Sequence, residues 1–225
     1  MKTILTLTGP SCSGKSTLEA RLKQAGFENV ISTTTRPMRK GEVDGQSYYF
    51  VSPEAFKKNA AEGAYIEQVE FNGNLYGVSA CEVERVFAKS KPVVVVVEPE
   101  GLRQVREYGL QKGIRIVSVF VNNPYSVIAK RFLERMIQDF IVGGIGNPEG
   151  AEKVLDTYSK RLSVMMGEET HWFEQCRSLA DVNLLWFNED NIDTVVDELI
   201  RTVYSPAHSS GNGGGNEFGI LPKAS

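Results

Sequence analysis

The run Thr3-Ile4-Leu5-Thr6-Leu7-Thr8-Gly9-Pro10-Ser11-Cys12-Ser13-Gly14-Lys15-Ser16-Thr17 determines the class of architecture. In residues 3–8 apolar Ile and Leu alternate with Thr, as in a strand, and past the glycines Leu18 and Leu22 recur at the spacing of one helix face. Strand, loop and helix in that order give the pattern G-x-x-x-x-G-K-S the setting it requires. Glycine at 9 and 14 lets the main chain curl so that successive N–H groups point inward at the positive end of a helix dipole, where a phosphate is held. Lys15 adds a mobile positive charge that can follow a transferred phosphoryl, and the Ser16 hydroxyl is suited to ligate Mg²⁺. Gly9, Pro10, Ser11, Cys12, Ser13, Gly14, Lys15, Ser16 and Thr17 are therefore the expected triphosphate site, with Cys12 a neutral filler of the loop.

Outward from this core the chain keeps alternating. Residues 92–97 (Pro followed by five Val) and 114–121 are dense in β-branched side chains, as parallel strands buried on both faces are, and residues 182–187 read as another strand. Val195, Val196, Leu199, Ile200 and Val203 repeat at the helical period. Strands alternating with helices predict an open, mostly parallel α/β sheet. Two stretches break the alternation. Residues 33–80 form a polar excursion rich in Thr, Arg, Gly, Tyr and Asn, with a strand-like piece at 47–51. Residues 136–160 carry a glycine cluster, 143–146, between helical segments bearing Arg131, Arg135 and Arg161, which is the composition of a lid. From residue 205 onward the Gly, Ser and Asn content predicts a disordered tail.

The 225 residues, 41% of them hydrophobic, suffice for one sizeable core. A formal net charge of −3 advertises no binding to nucleic acid or to an anionic membrane surface. The three cysteines Cys12, Cys81 and Cys176 are widely spaced and build no zinc motif, which points to a reducing, cytoplasmic compartment. The apolar start is too short for a signal peptide, and no run reaches the length of a spanning helix, so a soluble protein is expected.

Residues 32–50 set Arg36 and Arg39 among several hydroxyls, a combination that grips a phosphate monoester bidentately with tyrosine completing the cage. An arginine pair on a loop is ordinarily a solvated ion pair; here the whole stretch carries the reading. Ser32, Thr34-Thr35-Arg36-x-x-Arg39, Gly41-Glu42-x-x-Gly45 and Tyr48 resemble the acceptor segment of guanylate kinases, and the resemblance extends from residue 1 to about 204, densest through residue 80. It implies a P-loop NTPase three-layer sandwich around a mostly parallel five-stranded sheet. An NMP-binding subdomain would span about 33–80 and a lid about 132–161, both inside a domain of residues 1–204, with 205–225 as tail.

The same resemblance implies that the γ-phosphoryl of ATP is moved to GMP or dGMP with Mg²⁺. Ser32, Arg36, Arg39, Tyr48 and Tyr76 would bind the acceptor phosphate. Glu67 would read guanine, because a carboxylate accepts from N1–H and the exocyclic amine together, a pair adenine does not offer. Arg131, Arg135 and Arg161 would neutralise charge between donor and acceptor, and Asn188 would lie near the adenine. Departures from the family pattern are Val96-Val97-Glu98 where Asp-x-Asp is usual, so that one carboxylate is missing and the other, Glu98 on the substrate side, is longer and suited to hold a Mg²⁺-bound water, and Val78 where a hydroxyl usually helps read the base. The lid is longer than usual, and its Ile137, Phe140, Ile141 and Val142 make a homodimer contact an expectation. His171 and His208 read as bystanders.

Two other readings remain. Tyr76-Gly77-Val78 favours a related kinase acting on a modified deoxynucleotide or a ribosyl bisphosphate. A non-catalytic module that binds phosphorylated peptides through the old acceptor site is opposed by the intact Gly14-Lys15-Ser16, and turnover of ATP separates it from an enzyme.

Overall fold

Strand β1 (Thr3–Thr8) is buried along its whole length, threonines included, because it lies at the centre of a sheet covered on both faces. The computed structural model describes residues 2–39, 41–71, 73–167, 174, 177–184, 188 and 190–205. Around β1 the chain runs through α1 (Lys15–Gln24), β2 (Glu28–Asn29), β3 (Thr33–Thr34), β4 (Tyr49–Phe50), α2 (Pro53–Ala61), β5 (Tyr65–Phe71), β6 (Asn74–Ser79), α3 (Ala80–Phe87) and β7 (Val93–Val96). It continues through α4 (Pro99–Lys112), β8 (Arg115–Val121), α5 (Tyr125–Gly143), α6 (Pro148–Gly167), β9 (Val182–Leu184) and α7 (Ile192–Tyr204).

The main sheet has the order β2-β7-β1-β8-β9 with every pair parallel, and Leu5 of β1 sits opposite Val94 on one side and Val117 on the other. Successive strand side chains point to opposite faces, so the strands split their apolar residues between two cores. Leu5, Leu7, Val94 and Val119 pack with Leu18 and Leu22 of α1 and Val195 and Leu199 of α7. Ile4, Val93 and Val95 pack with Val83 and Val86 of α3 and Leu102 and Val105 of α4. The result is the expected helix–sheet–helix sandwich around a five-stranded parallel sheet.

The polar excursion folds into a second sheet, β4-β3-β6-β5. Its β5–β6 hairpin has an irregularity between Tyr65 and Glu67, after which Glu67 stands opposite Val78. Such a bulge re-aims a side chain. The strand expected over 47–51 shrinks to Tyr49–Phe50, because side chains take the main-chain donors around it: Phe50 N–H donates to Asp44 Oδ1 and Val43 N–H to Ser47 Oγ. Helix α2 starts where Ser52 Oγ accepts from Ala55 N–H with Pro53 behind it.

The arginine-bearing stretch is a helical hairpin, α5 against α6, and the turn between them is confined to residues 144–147. Gly150 permits the close crossing, since a Cβ there would stand 2.0 Å from the Gly143 carbonyl oxygen. Across the pair Tyr158 O–H donates to Asp139 at 2.7 Å and its ring meets Phe132 edge-on at 5.2 Å. The strand expected over 182–187 is seen for Val182–Leu184, the rest lying outside the described residues, as do His171, His208, Cys176 and the tail from 206. Among the described residues no helix is long and apolar enough to cross a membrane.

Candidate nucleotide site

The loop after β1 needs its first glycine for two reasons. Gly9 has φ +147°, and a Cβ there would stand 2.1 Å from the carbonyl oxygen of Val121 at the end of β8. Gly14, φ 102°, caps α1 without a side-chain hydrogen bond, and no acidic residue occupies the first turn. The N–H groups of that turn are thereby left for an anion. Lys15 Nζ reaches back over the loop, donating to the Gly9 carbonyl and to the Pro10 carbonyl at 2.9 Å. Ser16 and Thr17 are exposed at the helix start, Pro10 is buried, and Ser11 and Cys12 are half-buried, Cys12 with a left-handed φ of 64°. The Ser13 side chain is wholly buried, so toward a nucleotide it offers its main chain. Arg131 donates from α5 to the carbonyls of Cys12 and Ser13, at 3.5 and 3.3 Å.

The second sheet and its loops carry the residues expected to bind the acceptor. Ser32 is half-buried and its carbonyl accepts from Tyr49 N–H. Arg36 is nearly buried and forked onto Glu42, at 3.0 and 2.7 Å, with a third bond to the Pro37 carbonyl. Its guanidinium lies 5.3 Å from the Tyr48 ring centre, and Tyr48 meets Tyr76 edge-on at 6.1 Å. Arg39, exposed at the surface, is held below the usual arginine range, by desolvation among its neighbours first and then by the charges of Arg36, Arg161 and Arg135. Arg161, seated over the Tyr158 ring, is depressed likewise by burial and then by Arg135. Two segments distant in sequence thus bring Arg36, Arg135 and Arg161 within electrostatic reach of Arg39. Like charges so placed repel until a multivalent anion sits among them.

The two carboxylates form the third side. Glu67 is 4% exposed and accepts from Val78 N–H at 3.1 Å. Burial pushes its carboxyl up to about 7 against the pull of that N–H, and the nearby Glu98 adds to the rise. Glu98, at the head of α4, is raised by burial and lowered by Lys15, so its charge is felt by Glu67 on one hand and meets that of Lys15 on the other. Gly101 in the first turn of α4 leaves the room Glu67 uses: a Cβ there would meet Glu67 Oε1 at 2.5 Å. Val78 is fully buried and, of its groups, only the main chain serves the site.

Asn188 does not come to these groups in the same way. Its side-chain oxygen accepts from Asp190 and Asn191 N–H, which ties it to the turn entering α7. Conversely, sequence reasoning passed over Glu42, which holds Arg36, and Glu19, one turn beyond Lys15. Glu19 is raised to about 7 by burial and adds its charge to the surroundings of Tyr48. A signal existed for both, in the Gly41-Glu42 pair and the i,i+4 spacing from Lys15. Among the described residues no group of His, Cys, Asp and Glu could by itself hold a metal ion.

A parallel sheet that delivers its central strand to a glycine loop and a bare helix start belongs to the P-loop nucleotide-binding proteins. A family model described as guanylate kinase matches residues 1–140. Guanylate kinase of Symbiobacterium thermophilum is 36% identical over 154 residues, 68% of this chain and 68% of that protein. The Ruegeria sp. guanylate kinase is 30% identical over 202 residues, 89% and 82% of the two chains. The pig (Sus scrofa) guanylate kinase is 39% identical over 133 residues, 57% of this chain and just 65% of the pig protein's length. In three dimensions the crystal structure of guanylate kinase from Anaplasma phagocytophilum shares the fold with TM-score 0.63 at 24% identity, covering 91% of this chain and 87% of that one. The chain belongs to the guanylate kinase family.

Proposed function

We propose that this protein transfers the γ-phosphoryl of ATP to the 5′-phosphate of GMP or dGMP, giving ADP and GDP or dGDP. The observation that carries the reading is the convergence of Arg39 from the acceptor sheet with Arg135 and Arg161 from the helical hairpin, beside the Lys15 loop. Phosphoryl transfer of this kind is catalysed by positioning and charge neutralisation, and this arrangement supplies both. In this reading the loop N–H groups and Lys15 hold the donor phosphates, while Arg36, Arg39, Tyr48, Tyr76 and Ser32 hold the acceptor phosphate. Arg131, Arg135 and Arg161 stabilise charge on the group in transit, and Asn188 borders the adenine. Arg36 keeps its remaining donors for the phosphate while Glu42 fixes its plane, a use for which arginine's fork is suited.

Ser16 fits a Mg²⁺ ion bound chiefly through substrate phosphates, the mode in which one hydroxyl and few protein carboxylates suffice. When bound, the ion neutralises charge on the donor phosphates. The hairpin 132–161 acts as lid over the NMP-binding segment 33–80, with the reaction in the cytoplasm. Ile137, Ile141 and Val142, exposed on that hairpin, support pairing of two copies, which sedimentation at a single-chain mass would exclude.

A coupled assay with ATP and a panel of ribo- and deoxyribonucleoside monophosphates tests the function. GMP or dGMP should be turned over well ahead of AMP, CMP and UMP; equal rates for all, or none for any, would overturn it. A preference for some other monophosphate would favour the relative with altered base specificity, to which the apolar, fully buried Val78 lends support.

Glu67 also gives the reaction a pH dependence. Only its ionised form accepts from both guanine donors, and with the carboxyl raised to about 7 that form becomes the minor one below this pH. The KM for GMP should therefore rise as pH falls from 8 to 6, by up to about tenfold per unit below the midpoint, while the Kd for ATP stays level. The sign for stability is opposite. Because the folded value lies above the unfolded 4.5, the contribution is complete below 4.5 and is lost as pH rises through about 7. A KM for GMP that stays flat over this range would remove Glu67 from base binding.

A further inference from the structure

Just past β8 stands Asn123, a residue 3% exposed whose side chain faces the phosphate loop from beneath. Its Nδ2 donates to the Ser13 carbonyl oxygen at 2.7 Å, across 110 residues of sequence. The neighbouring Asn122 anchors this corner, with its N–H on the Leu184 carbonyl of β9 and its Oδ1 accepting from Asn123 N–H at 2.8 Å. Arg131 reaches the same Ser13 oxygen only at 3.3 Å. In a trans peptide the carbonyl and the following N–H point in opposite directions, and no cis bond occurs among the described residues. A donor that pins the Ser13 carbonyl toward the sheet therefore aims the Gly14 N–H the other way, into the hollow where a phosphate sits.

Gly14 makes that anchor necessary. A glycine at φ 102° tolerates rotation of the peptide plane before it, which a residue with a Cβ would resist. Left to itself, the 13–14 peptide could turn its carbonyl toward the anion and convert an attraction into a repulsion. We infer that Asn123 is a positioning residue of the phosphate loop, which by holding the Ser13–Gly14 peptide sets how tightly the loop binds the polyphosphate of a nucleotide. This rests on the reading of the loop as the donor-phosphate site. The motif does not contain Asn123, which acts on the loop through the main-chain carbonyl of Ser13.

Isothermal titration with tripolyphosphate, ADP and GMP tests this on wild type, Asn123→Ala and Asn123→Asp, with thermal unfolding in the absence of nucleotide as the check of folding. Alanine removes the donor, and aspartate confronts the Ser13 carbonyl with a second acceptor. The Kd for tripolyphosphate and for ADP should rise about tenfold in the alanine variant and further in the aspartate variant, with the Kd for GMP within about twofold of wild type. Tripolyphosphate has no base, so its loss isolates the loop. Folded variants that bind tripolyphosphate and ADP as wild type does would overturn the inference, and so would an equal loss for GMP, which would mark a merely structural role. If the aspartate variant does not fold, the alanine variant decides. Wild-type protein that binds neither tripolyphosphate nor ADP would instead overturn the kinase reading on which the inference stands.

Discussion

Replacing Lys15 with alanine is expected to leave a folded protein whose kcat falls by about 1,000-fold. Folding should survive because the loop is held by other groups: Asn123 and Arg131 on its carbonyls, and the close approach of Gly9 to Val121. Catalysis should not survive, because in the proposed mechanism Lys15 meets charge that shifts toward the bridging oxygen only in the transition state. Its ammonium donates to two main-chain carbonyls of the loop, Gly9 and Pro10, which holds it over the loop. Steady-state kinetics beside circular dichroism check this. Retention of more than about a tenth of the wild-type kcat would remove Lys15 from the mechanism.

The second large effect is expected at Glu67. Glutamine in its place keeps one oxygen but substitutes an N–H donor for the other acceptor, setting a buried donor against the donors of guanine. The Val78 N–H, which now donates to Glu67 Oε2, competes for the one remaining oxygen. An unpaired buried polar group costs about 1–3 kcal/mol, so kcat/KM for GMP should fall roughly 5- to 150-fold. Inosine monophosphate lacks the exocyclic amine and should lose less. In the proposed reading, with Val78 apolar beside it, Glu67 would carry much of the readout, and the substitution should damage selectivity more than catalysis. A common factor for GMP, dGMP, IMP and AMP would mean that Glu67 does not read the base.

Lys15 could be picked out before any fold was known, and the reason is local, whereas Glu67 came from the resemblance to guanylate kinases. The strand, loop and helix from Thr3 to Leu22 are encoded by patterns within one short segment, as is the acceptor segment around Arg36. What could not be read depends on distant pairing. Glu28–Asn29 has no strand pattern and becomes an edge strand only by lying against β7. Tyr49–Phe50 was expected within a longer strand, but Asp44 and Ser47 claim the surrounding donors. The two arginines of the acceptor segment look alike in sequence; folding gives Arg36 a carboxylate partner and leaves Arg39 subject to the charges of Arg36, Arg135 and Arg161. Asn123 carries no local signal, since its partner is a carbonyl 110 residues away. The role expected of Asn188 came from resemblance, and its oxygen is engaged in a turn of its own.

The most direct test of the whole reading is ³¹P NMR of the protein with ATP, GMP and Mg²⁺. The expected result is the growth of ADP and GDP signals in equal amounts at the expense of ATP and GMP, with no inorganic phosphate. ADP appearing with inorganic phosphate alone, or a spectrum unchanged with GMP and dGMP alike, would contradict transfer between two nucleotides at this site.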